Sequence, residues 1–147
     1  MKFNNAIEIF REPGKVFSWI DDPQKAMRWQ KGVKGGEIIK ETSGRIGTTF
    51  TEELEENGKS LVMYGTITDF IPDKLISFHL ESKIHKVDVK YSVTGDNDKS
   101  TVSMESIIKW KFPMNTISLF FSHFIKNKIL NQTREEFAEL KRLCENE

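Results

Sequence analysis

Tyr91, Ser106 and Trp110 are the polar groups whose spacing most invites chemistry. Tyr91 is in step with Val87, Val89 and Val93, while Ser106 and Trp110 are in step with Val102, Met104 and Ile108, each series alternating with charged or polar neighbours. Residues two apart on a strand share a face, so a phenol, a hydroxyl and an indole N–H are carried to the buried side, where each wants a hydrogen-bond partner. In a filled core these groups would bond to one another or to backbone. In a cavity they would fix the polar atom of a ligand. Trp29 is a further candidate for such a lining, and so is Tyr64, although Leu61, Met63, Ile67 and Val62, Tyr64, Phe70 give competing phases along that strand.

The other reactive residues form no self-evident catalytic set. His79, His85 and His123 have neither a metal-ligand spacing nor a cysteine cluster around them, so no metal and no cofactor is expected. His79 is out of phase with Ile76, Phe78 and Leu80, and His85 opens a strand, which assigns both to solvent. His123 sits among Phe120, Phe121 and Phe124, where it either orients a ligand or lies on a helix surface. Glu52, Glu53, Glu55 and Glu56 read as a solvated acidic run, because a catalytic carboxylate pair must share one cleft and adjacent strand residues point to opposite faces. Gly58-Lys59-Ser60 lacks the P-loop's first glycine, since Glu53 stands there, and a hairpin turn is expected across Glu56 to Leu61. Gly35, Gly36, Gly44 and Gly47 permit bends rather than forming a dinucleotide loop, and no serine occupies a Gly-x-Ser-x-Gly elbow.

Composition narrows the classes further. Within 147 residues, 22 Lys and Arg balance 22 Asp and Glu, and the basic residues are scattered, which argues against nucleic acid as a partner. That length fits one domain spanning residues 1–147. Cys144 is the only cysteine, so no intramolecular disulfide forms. Asn4, Asn5 and Glu8 interrupt the opening residues before they reach the length of a secretory segment, and a cytoplasmic protein is expected. The most apolar window, Ile117 to Ile125, is far short of the ~20 residues that span a bilayer, so no stable membrane insertion is expected.

The elements that must hold these groups follow from period and punctuation. Phe3 to Phe10 alternates as a first strand, Pro13 opens a helix whose buried face is Val16, Phe17 and Ile20, and Asp22-Pro23 caps and opens a second. From Gly35 to Phe112 the chain reads as six strands bounded by Gly, Asn, Asp or Pro. After Pro113 the helical period returns. The fold class is α+β: a seven-stranded antiparallel sheet curled around a long C-terminal helix, with two short helices between strands 1 and 2.

This order resembles the START-like or SRPBCC superfamily and its helix-grip fold, nearest the polyketide cyclase/dehydrase-like subgroup. The resemblance is carried by PGKVFSWIDDPQKAMRW, GGEIIKETSGRIGTTF, YGTITDFIPDKLISFHL and the closing FAELKRL. It implies an apolar ligand held between sheet and C-terminal helix, with the short helix pair closing one rim.

The final helical region carries a conflict. Leu130, Thr133, Phe137, Leu140 and Cys144 form one narrow face, whereas Ile117, Phe120, Phe121 and Phe124 fall nearly opposite. One straight helix cannot bury both against one sheet. The segment from Met114 to about Phe124 is therefore expected to bend away, its Phe120 and Phe124 capping the cavity mouth; the alternative is a homodimer contact or a membrane surface. The lack of a basic stripe argues against strong attachment to anionic lipid. The leading reading is a protein that binds a lipid, polyketide-like or aromatic molecule, using Trp29, Tyr64, Tyr91, Ser106, Trp110, Phe120, His123 and Phe124. The alternatives are a cofactor-free cyclase or dehydratase, in which Tyr91 or His123 moves a proton, and a co-chaperone-like stress protein. No catalytic residue is assigned.

Overall fold

The structure, a computed structural model, describes residues 1–56 and 58–147; Asn57, within the turn expected at Glu56 to Leu61, lies outside the described residues. The strands are β1 (Lys2–Ile9), β2 (Val33–Lys40), β3 (Thr49–Glu56), β4 (Lys59–Ile71), β5 (Leu75–Glu81), β6 (His85–Gly95) and β7 (Ser100–Trp110). They form one antiparallel sheet in the order β1-β7-β6-β5-β4-β3-β2, so that every neighbour after β1 is a hairpin partner. The expected seven strands are all present.

The helices are α1 (Pro13–Asp21), α2 (Pro23–Ala26), α3 (Met114–Phe120) and α4 (Ser122–Glu145). Asp22 ends α1 and starts α2, because its Oδ1 accepts from the backbone N–H of Gln24 at 2.9 Å and of Lys25 at 3.4 Å while Pro23 has no N–H to satisfy. Val16, Phe17, Trp19 and Ile20 of α1 are buried. Trp29, just beyond α2, donates its indole N–H to the Trp19 carbonyl at 2.8 Å and fastens the pair together.

On α4 the buried residues are Thr133, Phe137, Leu140, Leu143 and Cys144, close to the face expected from the helical period. Phe137 and Leu140 meet Ile9, Val16, Phe17, Val93 and Val102 in the fully buried centre. The C-terminal end is tied down by Arg11, whose Nε donates to the Cys144 carbonyl at 3.0 Å, and by the Trp19 indole, which donates to Glu147 Oε2 at 2.9 Å. The expected bend is also present: α3 is a separate element, and the chain breaks at Phe121 (φ −116°, ψ 21°).

Two local devices aim residues into the concave face. A β-bulge leaves Thr68 unpaired between Ile67 and Asp69, so Leu61, Met63, Gly65 and Ile67 face inward before it and Phe70 faces inward after it. The competing phases are therefore one strand with a reset. Gly65 makes room for its cross-strand partner Phe50, whose ring would lie 2.3 Å from a Cβ at that position. Only a glycine lets that ring lie across the sheet.

Candidate functional site

Two cavities, of about 520 Å³ and about 750 Å³, open along the concave face of the sheet. The smaller has a largely apolar floor of Met63, Leu80, Val87, Val89 and Met104, with Ser106 among them, and is walled by Gln132 and Glu136 of α4. The larger runs under α1 and α2, between Ile20, Ala26 and Met27 on one side and Phe50, Ile67 and Ile76 on the other. Gln30, Val33, Glu52, Phe78 and Tyr91 line both. These five residues are the common wall.

Aromatic packing holds that wall in place. Tyr91 is 8% exposed, and its ring meets Trp29 edge-on at 6.0 Å, Phe78 at 6.1 Å and Phe137 at 6.4 Å. Burial pushes the Tyr91 phenol above its ordinary range, and the nearby Glu136 and Glu52 charges add to the effect, while a hydrogen bond with the Gln30 side chain opposes it. Tyr91 is thus a neutral hydroxyl at physiological pH. It can donate or accept one hydrogen bond at the junction.

The acids beside it are the least ordinary groups of the cavity. Glu136 accepts from the Lys31 backbone N–H at 2.9 Å and from the Gln132 side chain. Burial nevertheless raises its carboxyl to about 7, and the charge of Glu52 pushes it the same way. Glu52 is also raised by burial, and among the described residues its carboxylate has neither a hydrogen bond nor an ion pair. Two carboxyls and a phenol thus face a cavity with a largely apolar floor, one carboxyl being poised to exchange a proton near neutral pH. Among the described residues no group of three His, Cys, Asp or Glu side chains could hold a metal ion.

No protein-family model and no curated protein sequence matches this chain. Solved structures do. A START superfamily protein from Mycobacterium smegmatis aligns with a TM-score of 0.74 at 14% identity, over 97% of this chain and 98% of its own. The Zhui aromatase/cyclase from Streptomyces sp. R1128 aligns with a TM-score of 0.81 at 8% identity, over 99% of this chain and 93% of its own. Ara h 8.0201 aligns with a TM-score of 0.73 at 13% identity, over 100% of this chain and 99% of its own. The chain has the START-like helix-grip fold. At such identities the likeness concerns the backbone alone, and any function rests on this chain's own side chains.

Within this helix grip the residues singled out from sequence separate into three groups. Tyr91 and Ser106 line the cavities. Trp29 and Trp110 are near but not in the lining: the Trp29 N–H is already bonded to Trp19, whereas Trp110 stacks on His85 at 5.1 Å and its buried N–H has no partner among the described residues. Tyr64 is 62% exposed on the opposite face of the sheet, because the bulge at Thr68 assigns the inward phase to Met63. Phe120, His123 and Phe124 are exposed and line neither cavity, so the cap expected of Phe120 and Phe124 is not formed.

Two assignments to solvent are corrected by the helix grip. His85 lines the smaller cavity, with Nδ1 2.6 Å from the Ser82 hydroxyl and its pKa lowered chiefly by burial. Glu52 faces inward, since β3 alternates Phe50, Glu52 and Leu54 toward the core side while Glu53 and Glu55 are exposed. His79 does lie on the outer face, bonded to Asp88 at 2.7 Å. Gln30, Gln132 and Glu136 were not anticipated. Glu136 precedes Phe137 and lies one turn from Gln132, at the rim of the predicted helix face, which was the available signal.

Proposed function

We propose that this protein binds a small amphipathic molecule, of lipid, polyketide-like or aromatic class, across the joined cavities. The observation that carries this reading is the placement of Tyr91 and Glu52 in the wall shared by two cavities floored with apolar side chains, with Glu136 beside them in the smaller one. Apolar walls supply the attraction, at about 25 cal/mol per Å² of ligand surface removed from water, offset by the cost of ordering the ligand. The junction supplies orientation. A ligand hydroxyl or carbonyl placed there would meet the Tyr91 hydroxyl, which has only Gln30 to compete for it.

The test is native mass spectrometry of protein purified from its own host, followed by solvent extraction of whatever is bound. A stoichiometric small molecule released on denaturation supports the reading and gives its class. Identical empty spectra from wild type and Tyr91→Phe, together with no quenching of tryptophan fluorescence by hydrophobic probes, would count against it.

A second reading is favoured by Glu136 alone. An acid whose carboxyl sits at about 7 holds and releases its proton in the range where general acid–base catalysis is efficient. In this reading the protein is a cofactor-free cyclase or dehydratase, with Glu136 moving the proton and Tyr91 holding the substrate oxygen. Conversion of the extracted molecule by wild type, lost in Glu136→Gln with binding retained, separates catalysis from simple binding.

A further inference from the structure

The turn between β5 and β6 fixes one side chain of the smaller cavity in a single hydrogen-bonding state. Ser82 is buried in that turn, and its Oγ accepts from the backbone N–H groups of Ile84 and His85, both at 3.2 Å. Those two bonds fill the acceptor capacity of the hydroxyl, so no lone pair is left for a ring N–H. Its own proton must go outward, and His85 Nδ1 at 2.6 Å is a far better acceptor than the His85 carbonyl at 3.4 Å. Burial lowers the pKa of this imidazole, which is therefore neutral at physiological pH. A neutral ring that accepts at Nδ1 carries its hydrogen on Nε2. The turn itself is clamped: Lys111 Nζ donates to the Ser82 carbonyl at 2.7 Å and pairs with Glu81 at 3.0 Å, and the Ser82 N–H donates to the His85 carbonyl at 3.0 Å.

We propose that the His85 Nε2–H is a ligand-binding donor of the smaller cavity, and that the group it takes is a carbonyl or carboxylate oxygen. His85 lines that cavity. Trp110 covers one face of its ring at 5.1 Å and Ser82 occupies the Nδ1 edge, which leaves the other face and the Nε2 edge for the cavity. Among the described residues Nε2 has no partner, and neither has the buried indole N–H of Trp110 beside it. Donors left without acceptors favour an oxygen that brings no proton of its own, so a carbonyl or carboxylate suits this place and an amine does not. His85 lies six residues before Tyr91 on β6, about 20 Å along the strand at the usual rise. The two anchors therefore meet different atoms of a guest. Ser82 lines neither cavity, so it is a positioning residue rather than a nucleophile served by His85. This inference rests on the reading of the cavities as a ligand site, and adds to it the class of group held in one chamber.

Two measurements test this. Nitrogen-15 NMR of the wild-type histidines at neutral pH is expected to find His85 with Nδ1 bare and Nε2 protonated, and Ser82→Ala to mix the two tautomers. Hydrogen on Nδ1 in the wild type, or an unchanged single tautomer in Ser82→Ala, would overturn the proposal. Equilibrium dialysis then compares 2-acetylnaphthalene, 2-naphthoate and 2-ethylnaphthalene, which share a ring system and differ in the oxygen. Wild type is expected to bind the ketone or the acid at least about tenfold more tightly than the hydrocarbon, and His85→Phe, which keeps a ring against Trp110, to lose that preference while still binding 2-ethylnaphthalene. Preference for the ketone alone assigns a carbonyl, and preference for the acid assigns a carboxylate. Equal binding of all three by wild type, or a preference that survives in His85→Phe, would overturn this proposal and leave the cavity reading standing. Failure of all three to bind would overturn both.

Discussion

The cavity junction and the α3–α4 elbow break the same rule in opposite directions. At the junction, carboxyls and a phenol are buried among apolar side chains; at the elbow, phenylalanines stand in water. Each arrangement is unfavourable for the isolated chain, since buried polar groups lose hydration and exposed aromatic rings keep theirs. From the Asp22 cap to the Phe137 core, by contrast, local signals and packing agree. The two places are therefore where a reading of function has most to explain.

Substitutions can sharpen or break this contrast. The largest effect belongs inside. Phe137→Ala empties a position that is 1% exposed and removes the ring that Trp29 and Tyr91 lean on, so urea unfolding is expected to show a loss of about 3–5 kcal/mol. A loss under about 1 kcal/mol would mean that the interior is far looser than its packing implies.

The next effect is a pH dependence. The Glu136 carboxyl rises from an ordinary 4.5 to about 7 on folding, so the native state binds this proton more tightly than the unfolded chain. The stability it contributes is present below pH 4.5 and is lost as pH rises through about 7, to an extent of up to roughly 3 kcal/mol. Glu136→Gln should flatten that decline in urea midpoints measured across the range. A residual slope of the same sign is expected from Glu52, whose carboxyl is raised by burial too. An unchanged slope would place the Glu136 carboxyl in water and remove it from the contrast.

Tyr91→Phe should weaken binding of the extracted ligand by about 1–2 kcal/mol in calorimetry while barely altering the fold, because a phenyl ring preserves the contacts with Trp29 and Phe78. The smallest effect is at the elbow. Phe120→Ala is expected to change stability by no more than about 0.5 kcal/mol, which a Phe of the core could not do. A large loss there would show that the elbow is part of the folded core rather than a surface.

The sheet and helices were legible because alternation, caps and turns act over a few residues. Asp22-Pro23 announces its own break, and the opposed faces of Leu130 and Phe120 announce the bend between α3 and α4. The junction was harder to see. Four glutamates among five consecutive positions hide the alternation that sends Glu52 inward, since the run looks uniformly wet. Thr68 conceals the phase of β4, because one unpaired residue makes a single strand read as two incompatible ones. Glu136 comes from a helix far away in sequence, and its partnership with Glu52 exists only once sheet and helix are packed.

The common wall of the two cavities also constrains the shape of an occupant. Each chamber, at about 520 Å³ and about 750 Å³, is by itself the size that holds a drug-like molecule. Tyr91, Glu52 and Gln30 stand where the chambers meet, while Ser106 and His85 in the smaller chamber and Thr48 and Arg45 in the larger offer polar contacts farther along. A guest filling both would therefore use Tyr91 only with a polar atom in mid-molecule, unlike a fatty acid, whose polar group is terminal. Homologous series that shift a single hydroxyl along a fixed carbon skeleton would read that geometry as a maximum in affinity at the middle positions.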